Sequence, residues 1–353
     1  MKAAIYGAGA MGGTLGALIM KSGGAVDLYA RNEEHVAAVR QKGLTLRCEA
    51  DNVSLKVDAP IFTPDELRKK NEKYDVIFLM TKQRENAAVV TFLKEFLTEN
   101  GGIVTTQNGL PERKIAAIIG AEKTFGGVCS FGANFLKAGE AALTSSLASA
   151  KICVGAYARG GAAQDKTLDY IRSLLKPVRA VTGGEFYRET ENLTGVRYAK
   201  LIVNAAFSSL SAATGGTFGE VAKNKKTQKA ALGIMREVLC VAEQSGVRVD
   251  TVQGRDIAAL LKKRGAPLGW LKEIFLRLAM PHFVKTHKNS VSGMLIDIKR
   301  GRKCEIDYIT GAVSEEGRRA GVATPLCDKV TSLVHGIENG LYELSEKNAD
   351  FLR

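Results

Sequence analysis

Three glycines near the start of the chain, Gly7, Gly9 and Gly12, follow directly on a short apolar run. The spacing G-x-G-x-x-G between a strand and a helix admits few folds. Lys2 to Tyr6 reads as a buried strand and Thr14 to Lys21 as a helix. The three glycines then provide a tight turn, room for a pyrophosphate, and close helix–strand packing. Ala8, Ala10 and Met11 complete the turn. The free N–H groups at the helix start are suited to phosphates. The next strand, Ala25 to Ala30, ends in Arg31. An NAD site carries a carboxylate about 20 residues after the glycines, bonded to the ribose 2′-OH. An arginine in that place fits a 2′-phosphate instead. The opening therefore implies an NADP(H) site and redox chemistry.

At 353 residues, 45% of them hydrophobic, the chain is long enough for two domains with separate cores. No uninterrupted apolar stretch reaches the ~18 residues of a membrane span. The first strand already belongs to the glycine motif, so no signal peptide is expected. The six cysteines form no C-x-x-C pair and the four histidines show no ligand spacing. No metal or disulfide framework is expected, and a reducing cytoplasm fits. The net charge of +13 raises nucleic-acid binding. The basic clusters at Lys223–Lys229, Lys262–Arg264 and Lys285–Lys288 lack interleaved aromatics or a binding motif. A positive surface draws an anionic cofactor and substrate equally well. The partner expected is a small acid, with no nucleic acid and no membrane.

Along the chain, Leu44 to Val57 alternates like a hairpin, and Asp75 to Met80 is an apolar run of the kind covered on both faces. Arg84 to Leu97 has helical periodicity. Gly102 to Thr106 reads as a strand followed by Gln107, Asn108 and Gly109. Thr124 to Cys129, Ile152 to Ala156 and Val178 to Val181 are further strand candidates. Residues 1–188 thus read as an α/β Rossmann-type, doubly wound sheet domain. Residues 189–353 read as an all-α domain, with helices over Thr190–Ser211, Thr227–Gln244, Arg255–Lys263, Leu271–Leu278, Asp307–Ala320 and Pro325–Asn339. The cleft between the two halves is the expected active site.

Ligands of such sheets lie beyond the carboxyl ends of the strands. Lys82 and Asn108 follow two of those ends, as loop residues or as cofactor contacts. In the second half, Lys200, Asn204 and Ser208 recur every four residues and share one helix face. Among apolar neighbours, Lys200 either snorkels at the surface or is placed in a cleft. Ketone reduction needs such a group, because hydride adds to carbon and the oxygen must gain a proton. Glu305 and Asp307, two apart, cannot share a helix face. One is expected to face the cleft and the other to cap the next helix.

Taken together, these residues resemble the ketopantoate reductases (2-dehydropantoate 2-reductases) over nearly the whole chain. The matching pieces are GAGAMG at Gly7–Gly12, Arg31, Lys82, QNG at Gln107–Gly109, KLIVN at Lys200–Asn204, MLIDI…EIDYITG at Met294–Gly311, and GVATP at Gly321–Pro325. The resemblance implies NADPH-dependent reduction of a 2-oxo acid to a 2-hydroxy acid, nominally ketopantoate to pantoate as in pantothenate biosynthesis. It makes Lys200 the proton donor and Glu305 a catalytic residue that also holds the cofactor ribose. It gives Arg31 and Lys82 to the adenosine 2′-phosphate side, Asn108 to cofactor and substrate, Asn204 to substrate, and Ala133 to the cofactor. A homodimer is the assembly considered. Two departures stand out. Ser208 occupies the place of a second substrate asparagine, and Gly293 that of a serine, with Ser292 one place earlier. A segment from about Thr251 to Lys288, containing Trp270, is extra. It either lines the cleft or adds a surface helix pair. A different 2-oxo acid, or a non-catalytic NADPH sensor, are the alternative functions.

Overall fold

A computed structural model describes residues 1–251, 254–262, 269–285 and 288–352; for 269–271 and 283 it describes the backbone alone. The Trp270 side chain therefore lies outside the described residues. The chain divides into two compact units, one of Met1–Gln107 with Pro111–Leu193 and one of Asn108–Leu110 with Thr194–Arg353.

The first unit contains strands β1 (Ala3–Tyr6), β2 (Asp27–Tyr29), β3 (Leu44–Cys48), β4 (Val53–Val57), β5 (Ile61–Phe62), β6 (Tyr74–Leu79), β7 (Leu97–Thr105), β8 (Thr124–Cys129), β9 (Ala133–Lys137), β10 (Glu140–Leu143), β11 (Ile152–Ala156) and β12 (Tyr187–Glu189). Its helices are α1 (Ala10–Lys21), α2 (Glu33–Lys42), α3 (Pro64–Lys70), α4 (Asn86–Lys94), α5 (Glu112–Ile119), α6 (Ala162–Leu175) and α7 (Arg179–Thr182). The main sheet has the order β12-β11-β8-β7-β6-β1-β2-β5. From β5 to β8 neighbours run parallel, whereas β11 is antiparallel to β8. The side chains of β1 and β6 explain its two covered faces. Ile5, Val76 and Phe78 enter one hydrophobic cluster, and Tyr6, Ile77 and Leu79 enter another. Alternation with period two sends neighbours to opposite faces, and both faces are packed.

The hairpin expected over Leu44–Val57 forms as β3 and β4, in register Leu44 opposite Val57. It belongs to a second sheet, β4-β3-β10-β9, not anticipated from the sequence. The expected strand at Val178–Val181 is a correction: that stretch is helical. Pro177 sits in a tight helical turn, Lys176–Val178, α7 follows, and Gly183 closes it at φ 69°. Proline presets the helical φ, and glycine accepts the left-handed cap. The last strand of the main sheet is instead β12.

The second unit is helical, with α8 (Leu193–Thr214), α9 (Phe218–Lys223), α10 (Lys225–Gln244), α11 (Ile257–Leu261), α12 (Gly269–Phe283), α13 (Gly293–Lys299), α14 (Thr310–Ala320) and α15 (Pro325–Glu338). Its core gathers around α8 and α10, with Ile202, Ala205, Ala206 and Leu210 packed against Ala231, Ile234 and Val238. The helix expected over Arg255–Lys263 is shorter, and Lys263 lies outside the described residues. Among the described residues, no helix is long and apolar enough to cross a membrane.

Candidate functional site

The glycine turn lies between β1 and α1, at the centre of the parallel part of the sheet. Gly7 has φ 103°, and a Cβ there would stand 2.8 Å from the Met80 carbonyl carbon. A Cβ at Gly12 would stand 2.3 Å from the Gly7 carbonyl oxygen. A Cβ at Gly9 would meet nothing within 4 Å. The first and third glycines are thus demanded by the protein's own packing, while the middle one faces open space. Gly9 precedes α1 with no side-chain cap, and the first turn carries no acidic residue. Its leading N–H groups and the positive end of the helix dipole suit an anion.

One further group holds this turn. His35, at the start of α2, is buried; its Nε2 lies 3.0 Å from the Ala8 carbonyl oxygen, and the Gly139 N–H donates to its Nδ1 at 3.0 Å. Since Nδ1 accepts, Nε2 carries the proton and donates to Ala8. The neutral ring ties the glycine turn to the β9–β10 turn of the second sheet. Burial lowers the His35 pKa below its ordinary 6.5, the Ala8 hydrogen bond acting weakly the other way. A depressed folded pKa contributes stability above pH 6.5 that is lost as pH falls toward the folded value. His35→Gln should therefore lower the unfolding temperature most at neutral and alkaline pH. The gap between variant and wild type should shrink on acidification. Thermal scans across that range check this, and a gap independent of pH contradicts it.

Beside the turn, the ends of β2, β1 and β6 carry the predicted residues. Arg31 follows β2 and forms an exposed ion pair with Glu85 at 2.8 Å. Lys82 is exposed beyond β6, directly before Gln83–Glu85. The Thr81 hydroxyl is buried with no hydrogen-bond partner among the described residues. Gln107, at the end of β7, is buried and exchanges hydrogen bonds with Asn86 at 2.9 and 2.7 Å, and donates to the Thr81 carbonyl at 2.7 Å. This clasp fixes the loops after β6 and β7. Asn108 is exposed beside it, and Gly109 turns the chain at φ 80°. Ala133 lies in the second sheet, as the first residue of β9, paired with Leu143.

In the second unit, Lys200, Asn204 and Ser208 are half-buried on α8 while most of that helix is buried. They form one row along the helix face, as the four-residue spacing requires. Ser208 donates to the Asn204 amide oxygen. That commits the oxygen and leaves the NH₂ as the donor end of the amide. Ser292 does not stand in for the serine missing at position 293. It caps α13 by accepting from the Leu295 N–H at 3.0 Å, and its own N–H donates to Ser211. Gly293 itself is exposed, and a Cβ there meets nothing.

Glu305 is half-buried before the short turn Ile306–Tyr308. Its neighbours are tethered. The Cys304 N–H donates to Glu338 at 2.7 Å, and His335 bonds Asp307 through Nε2 at 2.8 Å and Glu338 through Nδ1 at 3.2 Å. Burial pulls the His335 pKa down, but Asp307 and Glu338 outweigh it and hold it above 6.5. The expectation that one of the two acids caps the next helix fails for Asp307. It bonds His335, and α14 starts after Ile309 with no side-chain cap. The residues that sequence reasoning missed are His35, Gln107 with Asn86, and the His335–Glu338 pair. For Gln107 a signal existed in the QNG triplet at a strand end.

Two family models match the chain. "Ketopantoate reductase PanE/ApbA" covers residues 3–159, and "Ketopantoate reductase PanE/ApbA C terminal" covers residues 192–338. The 2-dehydropantoate 2-reductase of Lactococcus lactis is 27% identical over 341 residues, covering 96% of this chain and 98% of that protein. That of Pyrococcus abyssi is 27% identical over 345 residues, with the same coverage. Among solved structures, D-mandelate dehydrogenase with NADH and anilino(oxo)acetate superposes with a TM-score of 0.76 at 24% identity, covering 97% of this chain and 99% of that one. The 2-dehydropantoate 2-reductase from Geobacter metallireducens gives 0.76 at 24% identity, covering 95% and 99%. At that identity the two structures speak for the fold.

Proposed function

The chain belongs to the ketopantoate reductase family, and from that premise we propose that it reduces a 2-oxo acid to the 2-hydroxy acid with NADPH, ketopantoate to pantoate being the nominal reaction. The observation that carries the reading is the Lys200–Asn204–Ser208 row, a half-buried lysine in line with an oriented amide on a mostly buried helix.

The glycine turn fits the cofactor. Gly9 leaves the space a pyrophosphate needs, and the unpartnered Thr81 hydroxyl lies next to the turn. Gly7 to Gly12 would hold the pyrophosphate, Arg31 and Lys82 the 2′-phosphate side, and Asn108, Ala133 and Glu305 further parts of the dinucleotide. Bound there, NADPH would supply the hydride that the carbonyl carbon needs, becoming NADP⁺. Lys200 stabilises the developing alkoxide and gives its proton to that oxygen, then regains one from solvent. The Asn204 NH₂ donates to a substrate oxygen, and Ser208 keeps it aimed. Glu305, between its tethered neighbours, orients Lys200. The six free cysteines, five of them buried, suit a reducing compartment such as the cytoplasm.

Loss of NADPH absorbance on adding ketopantoate tests the reading. NADPH binding without turnover on any 2-oxo acid would leave a sensor instead. Arg31→Ala should narrow the preference for NADPH over NADH by roughly ten- to hundredfold, the worth of a charge-assisted hydrogen bond. The ion pair with Glu85 is exposed and weak, so it yields readily to a phosphate. An undiminished preference contradicts the 2′-phosphate assignment.

A further inference from the structure

The extra segment builds a cavity inside the helical unit. It is about 90 Å³ in volume, and seven of its eleven described lining residues come from Arg255 to Val284. The rest of the described wall is Val203 and Phe207 of α8 with Leu232 and Met235 of α10. Apart from Arg255, every described lining side chain is hydrocarbon or thioether.

Its position follows from helix geometry. At about 100° per residue, Val203 and Phe207 lie about 60° and 20° to one side of Lys200. Asn204 and Ser208 lie about 40° and 80° to the other. Lys200 is therefore flanked by polar donors on one side and by the cavity wall on the other. A 2-oxo acid has the same three-part layout: carboxylate, carbonyl oxygen, side chain. With the carbonyl oxygen at Lys200 and the carboxylate toward Asn204, the side chain is directed to the cavity.

We propose that this cavity is the side-chain pocket of the enzyme, and that it takes 2-oxo acids with branched hydrocarbon substituents at least as well as ketopantoate. The proposal rests on the reductase reading and on Lys200 as the donor. Size and chemistry set the class. The volume is about three water molecules' worth, and falls short of the roughly 150 Å³ that accepts benzene. It suits a branched group of a few carbons. Ketopantoate carries a side-chain hydroxyl, and a hydroxyl buried against hydrocarbon without a partner loses roughly ten- to hundredfold in binding. Each methylene buried there gains about fourfold. The second asparagine that would serve a hydroxylated substrate is Ser208 here, and Ser208 is bonded to Asn204.

The test compares ketopantoate with 3,3-dimethyl-2-oxobutanoate, which differs only in lacking the hydroxyl, and with 4-methyl-2-oxopentanoate. Expected is a kcat/KM for both hydrocarbon acids equal to or above that for ketopantoate; a higher value for ketopantoate than for both overturns the proposal. Ile257→Trp, filling the pocket from a half-buried position, should lower the ratio of kcat/KM for 4-methyl-2-oxopentanoate over pyruvate at least tenfold. Leu260→Ala, enlarging it, should raise the same ratio for phenylpyruvate. Two opposite shifts are not the signature of poor folding, and unchanged ratios in both variants overturn the pocket. Calorimetric titration with 4-methyl-2-hydroxypentanoate reads the pocket without turnover. If that acid binds, and Ile257→Trp abolishes binding, while no 2-oxo acid oxidises NADPH, the reductase reading fails and the pocket stands. If ketopantoate is reduced but the hydrocarbon acids are neither reduced nor bound, the pocket fails and the reductase reading stands.

Discussion

Lys200→Ala should lower turnover by roughly a hundred- to ten-thousandfold, the usual contribution of a positioned general acid, while NADPH still binds. The residue is half-buried on α8, so truncation removes a charge at the edge of the core rather than a packed side chain. The unfolding temperature should change little. Lys200→Arg sharpens the test. A guanidinium keeps the positive charge but is too weak an acid to release its proton near neutral pH. If Lys200 acts only by charge, arginine restores most of the rate; if it delivers the proton, arginine stays nearly as slow as alanine. We expect the second result. Turnover with an NADPH titration by fluorescence gives both halves of the answer. An alanine variant with wild-type turnover would remove the proton-donor role.

The second large effect separates binding from folding within one turn. Gly12→Ala drives a methyl group to 2.3 Å from the Gly7 carbonyl oxygen. The helix must shift, at a cost of about 1–3 kcal/mol for an overpacked site, and cofactor binding goes with it. Gly9→Ala meets no protein atom within 4 Å, though its ψ of −143° at φ −82° lies outside the regions L-residues favour. With no atom to displace, the cost is backbone strain alone, about 1 kcal/mol. The new methyl nevertheless occupies the space assigned to the pyrophosphate, so NADPH affinity should fall at least tenfold. Chemical denaturation and NADPH titration on the two variants give the four numbers needed. A Gly9→Ala protein that binds NADPH as tightly as wild type would show that the open space serves something else.

The glycine turn, the hairpin and the central strands were legible in the sequence because their signals are local. Spacing, alternation and continuous apolar runs need no knowledge of distant partners. The family pieces around Lys200 and Glu305 were legible for the same reason. What escaped depends on atoms far apart in the chain. His35 holds backbone groups of Ala8 and Gly139, and backbone partners leave no trace in a side-chain pattern. Strand β9 is mostly exposed, with Phe135 and Leu136 both 43% accessible, so no alternation marks it. Val178 to Val181 is apolar enough for a strand, yet Pro177 and Gly183 set its local geometry. Asp307 had the position of a helix cap, and a histidine 28 residues later took it instead.

The bond from Gly139 to His35 also orders events in time. The glycine turn leaves the ribosome before Gly139 does, and a chain grows at about 5–20 residues per second. Its anchor spans 104 residues of sequence. The strand β10 that follows the anchor must also pair with β3. The earliest-made part of the site thus waits several seconds for a partner from the middle of the chain. Until then the His35 ring that holds the Ala8 carbonyl has nothing to fix its other nitrogen. Nascent chains stalled before Gly139 should be unable to capture the dinucleotide, however complete their glycine motif.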